Sequence, residues 1–405
     1  MSNPLSPALI EPLDPDCMLS RHFGRGLINY FSGTKVNRLS FLRNDYAFLS
    51  KAFGHPETQF VLLKDLAPAI KDARNLALFK TADVAPLTGS NPFMMQEKDQ
   101  IAAFDSAKDK PLVLFLGIEE DKEAGFDYKE YRGQPCFAVD VTPKGTYENA
   151  AQAVVDKVES SGAEFMKNPR SMALKATDAA IYAQSRSLLD WNARNGFCAG
   201  CGSSTLSVQA GYKRVCPPTD LQGASTPTSR ATCHTRMGVS NLCFPRYDPV
   251  MIAAVLSADG KRVLLGRQKR YPRKWYSTLA GFVEEGESVE DAVIREVWEE
   301  SGVRVGRVVL HSTQPWPYPA SLMIGAMAQA LPGGEEIYLG HDPELEDAKW
   351  YPLDEVRMAL KVGTSSLDDA VQEGYDGLRL PPHTAIAHQL LTAVVNGFGQ
   401  TAAHV

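Results

Sequence analysis

Gly281-Phe-Val-Glu-Glu-Gly-Glu287-Ser-Val-Glu-Asp-Ala-Val-Ile-Arg295-Glu296-Val-Trp-Glu299-Glu300-Ser-Gly302-Val303 places acidic side chains where a helix should bury apolar ones. At about 100° per residue, Val289, Ala292, Val293 and Val297 form one stripe. Glu296, Glu299 and Glu300 fall on or beside it. Ser288 suits an N-cap, Asp291 follows three residues on, and Gly302 stands just past the end, so a helix is expected on local grounds alone. Ionised groups removed from water must be paired or must coordinate metal. Three acids within one turn also repel one another unless a cation gathers them. Mg²⁺ suits such a site, because it prefers oxygen ligands shared between carboxylates and substrate phosphates. The plainer alternative is a charged surface helix held by i,i+4 pairs.

Around this helix the pattern is strand-like. Val250–Leu256 and Arg262–Leu265 are apolar runs separated by Ala258-Asp-Gly260. Leu279–Val283 leads into the helix. Further strands are expected at 307–310, 322–330 and Trp350-Tyr351, with helices near 354–360 and 384–395. This order suits a mixed sheet between helices, an α/β class. Upstream, residues 1–165 alternate apolar runs such as Phe60–Leu63 and Pro111–Gly117 with polar turns, which suggests a separate α/β domain. A helix with Leu174, Ile181, Leu188 and Trp191 on one face is expected over 171–194, and 217–230 reads as coil.

The 405 residues exceed one ordinary domain, so two or three are expected. No apolar run reaches the roughly 18 residues of a membrane span. The first residues lack the basic and apolar regions of a signal peptide, so an intracellular, reducing compartment is expected. The net charge of −6 argues against a general nucleic-acid binder. It leaves room for a local basic patch. Arg267, Lys269, Arg270, Arg273 and Lys274 cluster just before the acidic helix, either as a solvated loop or as a group that could meet a polyphosphate.

Cys198, Cys201, Cys216 and Cys233 crowd into one segment, the first two on the glycine-rich knuckle Gly196–Gly202. This reads as a structural zinc site. Cys216 and Cys233 are 17 positions apart, so 217–232 would loop out. His234 or Cys243 could replace Cys233, and a redox Cys-x-x-Cys is the main rival. Cys17 and Cys136 read as isolated thiols.

A further segment, Thr313-Gln314-Pro315-Trp316-Pro317-Tyr318-Pro319-Ala320-Ser321, alternates prolines. It predicts a rigid extended path exposing Gln314, Trp316 and Tyr318, or else a stiff connection between strands.

The acidic stretch resembles the Nudix hydrolase signature at every defined position: Gly, five residues, Glu, seven residues, then Arg-Glu-apolar-any-Glu-Glu-any-Gly-apolar. The proline array is similar to Ser-Gln-Pro-Trp-Pro-Phe-Pro-x-Ser of the NADH pyrophosphatase branch, with Thr313 and Tyr318 departing from it. A zinc ribbon ahead of the catalytic domain is another trait of that branch. The resemblance spans about 171–391, and more loosely 1–165. It implies an N-terminal α/β domain (1–165), a linking helix (166–197), a zinc ribbon (198–246) and a Nudix α/β/α sandwich (247–400).

The reaction so implied is hydrolysis of the diphosphate of NADH, and of NAD⁺, to nicotinamide mononucleotide and AMP. Two or three Mg²⁺ or Mn²⁺ ions would be held by Glu296, Glu299, Glu300 and the extra family ligand Glu344, with Glu300 also the base. Glu287 and Arg295 would brace loop and helix between Gly281 and Gly302. Phe244 and Phe282 match base-stacking positions, and Ser321, Met323 and Ala387 match substrate contacts, with core packing the alternative for each. The branch implies a homodimer. The NAD cap of an RNA, ADP-ribose or another dinucleotide are alternative substrates within the fold, and a non-catalytic nucleotide-binding module is an alternative outside it. The tail Ala403-His404-Val405 resembles a peroxisomal address with valine in place of its last residue, so cytoplasm and peroxisome both stay open.

Overall fold

A computed structural model describes residues 7–11, 27–120, 125–238, 241–284, 287–367 and 375–397. Cys17, Glu285, Gly286 and the tail Ala403-His404-Val405 lie outside them. The chain forms two compact units. Among the described residues, one comprises 34–246 with 317–320, and the other comprises 7–11, 27–33, 247–316 and 321–397. Among the described residues, no helix is long and apolar enough to cross a membrane.

In the first unit a sheet runs in the order Val36–Asn37, Val113–Glu119, Tyr131–Asp140, Gln59–Lys64, Ala67–Asp72, Asn75–Leu76. Gln59–Lys64 pairs parallel with Tyr131–Asp140, and both pair antiparallel with their other neighbours. Phe48, Phe53, Phe60, Phe115 and Phe137 meet in its core together with Val154 and Val155 of the helix Glu148–Ser160. The expected α/β character is therefore present. Cys136 is buried in the Tyr131–Asp140 strand. The helix expected from 171 spans Ala176–Arg194, because Pro169–Ser171 forms a separate short 3₁₀ turn and Met172 is extended.

The second unit holds a mixed sheet in the order Val305–Trp316, Ser321–Ala330, Asp248–Leu256, Arg262–Gln268, Leu345–Pro352, with Leu279–Phe282 also paired to Asp248–Leu256. Asp248–Leu256 runs parallel to Ser321–Ala330, and the other pairings are antiparallel. Side chains alternate between faces with the strand period of two. Met251, Ala253, Val255 and Leu264 pack with Ala292, Val293 and Val297 of the acidic helix, Val289–Ser301. Ile252, Ala254, Val263 and Leu265 pack with Val356 and Ala359 of Leu353–Val362 and with Leu390, Leu391 and Val394 of Ile386–Val395. Helices thus cover both faces, which is the expected α/β/α sandwich.

The proline array is not one extended path. Its first part continues the strand Val305–Trp316, and 317–320 turn so that Trp316 pairs with Ser321. That strand ends the sheet order among the described residues, where a proline can leave its missing N–H on the unpaired side.

Candidate metal centres and active site

The acidic helix starts and stops as its sequence requires. The Ser288 hydroxyl accepts from the Asp291 N–H at 3.1 Å, and the Asp291 carboxylate accepts from the Ser288 N–H at 3.2 Å. Gly302 closes the helix at φ 73°, donating to the Trp298 carbonyl at 2.7 Å, and a side chain there would strike Tyr338.

Arg295 organises the acids. Its guanidinium donates to both oxygens of Glu287 (2.6 and 2.9 Å), to Glu296 (3.0 Å), to Glu299 (2.9 Å) and to the Phe282 carbonyl (2.9 Å). The bidentate contact draws the Glu287 carboxyl down to about 2. The expected Glu287–Arg295 brace is present, and it reaches further than expected, onto two of the candidate metal ligands.

Glu300 is the exception. It is 4% exposed, and its Oε2 finds no hydrogen-bond partner among the described residues. Burial first, then repulsion from Glu296, Glu344 and Asp342, pushes its pKa up to about 8. Burial, opposed by Arg295, also raises Glu296. A buried carboxylate with an orphaned oxygen, facing three more acids, is a donor set that a hard divalent cation would complete. Asp342 belongs to this group and escaped the sequence reading, for it lies in the irregular stretch His341-Asp342-Pro343-Glu344, where no periodicity points to it. Glu344 itself is exposed just before the strand Leu345–Pro352.

Gly281 has a steric role: a Cβ there would overlap the Glu296 carboxylate. Because the clash falls on the far end of a flexible side chain, Gly281→Ala should fold normally but displace Glu296. A displacement of about 1 Å can cost about 100-fold in rate. We therefore expect kcat to fall by that order and Mn²⁺ to bind more weakly, with thermal stability nearly unchanged. Calorimetric Mn²⁺ titration checks it, and unaltered affinity would contradict the steric account.

The sulfurs of Cys198, Cys201, Cys216 and Cys233 lie within 4.8 Å of one another. Cys198 and Cys233 are 3.7 Å apart, and Cys201 and Cys216 are 3.5 Å apart. Four sulfurs at about 2.3 Å from one zinc would be about 3.8 Å apart. The thiols fit zinc, and Cys233 is the fourth member rather than His234 or Cys243. The intervening segment is ordered: Thr219–Asp220 pairs with Thr228–Ser229, and Arg230 forms a buried ion pair with Asp220.

Gln314 corrects an expectation. It is 1% exposed, donates to the Tyr30 and Thr384 carbonyls (3.0 and 2.8 Å) and accepts from the Ile386 N–H (2.9 Å). It ties chain segments together rather than facing solvent. Trp316 is half-buried edge-on to Phe31, and the half-buried Tyr318 donates to the Pro169 carbonyl at 2.5 Å. Ser321 and Ala387 are buried and Met323 half-buried, with Ala387 and Met323 packed among Ile386 and Leu390. Phe282, 61% exposed, and Phe244, 39% exposed, do present their rings to solvent.

Comparison with known proteins places these features. Family models match as the NUDIX domain over 246–371, the NADH pyrophosphatase-like rudimentary NUDIX domain over 57–191 and the NADH pyrophosphatase zinc ribbon domain over 193–223. The second match includes most of the helix Ala176–Arg194. A Schizosaccharomyces pombe protein named NAD-capped RNA hydrolase is 33% identical over 93% of this chain and 95% of its own. The human NAD-capped RNA hydrolase NUDT12 is 36% identical over 90% and 72%. The mouse mitochondrial NAD(P)H pyrophosphatase NUDT13 is 32% identical over 88% and 89%. With its acidic helix on one face of a mixed sheet and its four-cysteine cluster, the chain belongs to the Nudix hydrolases, in the zinc-ribbon-containing NADH pyrophosphatase branch.

Proposed function

We propose that this chain hydrolyses the diphosphate of NAD joined to the 5′ end of RNA, releasing nicotinamide mononucleotide and leaving a 5′-monophosphate. The observation that carries hydrolysis is the buried Glu300, its oxygen orphaned among Glu296, Asp342 and Glu344. The RNA-linked substrate is supported by likeness to relatives named for it along nearly the whole chain. This reverses the order suggested by the sequence resemblance, which put free NADH first. Hydrolysis of free NADH or NAD⁺ is the second reading, favoured by likeness to the mouse NAD(P)H pyrophosphatase.

Glu296, Glu299, Glu300 and Glu344 would hold Mg²⁺ or Mn²⁺, which when bound would neutralise phosphate oxygens and lower the pKa of a water. Glu300, buried at the centre of these acids, is placed to take the proton of the attacking water once a bound cation holds its carboxylate ionised. The water oxygen joins one phosphorus as the P–O–P bridge breaks. Arg295 steadies Glu296 and Glu299 from behind, and the exposed ring of Phe282 offers a stacking surface for a base.

The test is turnover on NAD-capped RNA, NADH, NAD⁺ and ADP-ribose with Mg²⁺ and with Mn²⁺, scored by nicotinamide mononucleotide release. Capped RNA should give the highest kcat/KM. A strong preference for ADP-ribose would defeat both readings.

A further inference from the structure

The loop between Gln268 and Trp275 carries three exposed cations, Lys269, Arg270 and Arg273. Strand register pairs Gln268 with Leu345, so Lys269 leaves the sheet beside Glu344, at the edge of the acidic centre. Both ends of the loop are pinned. Arg267 pairs with Glu346 and donates to the Tyr271 carbonyl at 3.1 Å. At the far end Lys274 pairs with Asp376 at 2.7 Å, and the Trp275 indole donates to the Ser365 carbonyl at 3.1 Å. Between these anchors Lys269, Arg270 and Arg273 are exposed, and none has a carboxylate at ion-pair distance among the described residues. Among the described residues Arg270 donates to Gln268 at 2.8 Å and lies against Tyr271, its guanidinium 5.8 Å from that ring and in contact with its hydroxyl.

Among the described residues these three cations make no ion pair, although Arg273 lies within reach of the Asp376 charge, and in a chain of net charge −6 they form a local positive patch beside the acid cluster. Free NADH carries no phosphate beyond the diphosphate that is cut. A capped RNA carries one further phosphate with each following nucleotide, and cations on a pinned loop are the groups that bind such a backbone without reading sequence.

We propose that Lys269, Arg270 and Arg273 receive the phosphates of the RNA chain just downstream of the cap, and so select capped RNA over the free dinucleotide. This rests on the capped-RNA reading above. The test is the triple variant Lys269→Gln/Arg270→Gln/Arg273→Gln, compared with wild type on NADH and on NAD-capped RNA in low and high salt. Activity on NADH should stay within about twofold of wild type, which also shows that the variant folds. On capped RNA kcat/KM should fall at least about 10-fold in low salt. If each cation meets one phosphate, wild-type KM should rise about 20-fold more than the variant's between about 50 and 200 mM salt. Equal losses on both substrates would mean that the loop serves the diphosphate itself, and would overturn the proposal. Wild-type hydrolysis of capped RNA with the variant unaffected would overturn the loop's role alone. A wild type inactive on capped RNA would instead remove the reading on which that role rests.

Discussion

Glu300→Gln should lower hydrolysis about 10³-fold while making the metal-free protein more stable, not less. The first half follows from its place at the centre of the acid group: a positioned base contributes about 10²–10⁴-fold. The second half follows from the sign of its pKa shift. The carboxyl stands at about 8 in the fold against an ordinary 4.5. Below about pH 4.5 it is protonated in both states and carries no penalty. Between about 4.5 and 8 the unfolded chain releases the proton and the folded chain retains it, so stability falls as pH rises through this window. At 1.36 kcal/mol per unit the accumulated loss by pH 8 is roughly 4–5 kcal/mol. Glutamine carries no such charge. Urea denaturation of metal-free protein at pH 5 and pH 8 should show the wild type weakening and the variant nearly level, and Mg²⁺ should restore only the wild type. A variant with wild-type turnover would remove the acidic helix from the chemistry.

What the sequence could reveal here tracks periodicity. The stripe Val289, Ala292, Val293, Val297 sits in the core as its 3.6-residue spacing demands, and Glu300 is buried because it shares that stripe. The cysteine cluster was legible for a different reason, since thiols at such spacings have few uses. Arg295 was legible only as the partner of Glu287. Its reach to Glu296 depends on side-chain path, because adjacent helical positions do not face each other by default. Gln314 was misread because alternating prolines indicate an extended backbone without saying which side of the strand is covered. What covers Gln314 comes from Tyr30 and Thr384, some 284 and 70 positions away in sequence. Asp342 lies in an irregular segment, and no local pattern marks such a residue.

Cys233→Ser should reduce bound zinc from one per chain to well below one, and should melt the segment that the metal holds. Its own packing is slight. The hairpin Leu206–Val208 with Lys213–Val215 has three residue pairs, and Thr219–Asp220 with Thr228–Ser229 has two. The apolar cluster beneath them is Phe104, Leu206 and Val208. A core so small cannot offset the ordering of some 35 residues without a staple. In zinc-finger peptides structural zinc supplies about 10–16 kcal/mol of apparent binding energy that is also folding energy. The thiols themselves need the ion: hydrogen bonds from Ser203 draw Cys201 down to about 6, whereas burial pushes Cys216 up to about 12. Without a dication the four would not become thiolates together. Hydrogen exchange should therefore lose protection over 198–203 and 228–236 in Cys233→Ser and in chelator-treated wild type alike, while the Phe48–Phe137 core of the same unit stays protected. His234→Ala and Cys243→Ala should each retain one zinc. If either lost the metal while Cys233→Ser kept it, the ligand set would be wrong, and a zinc-free wild type with a Cys198–Cys201 disulfide would restore the redox reading.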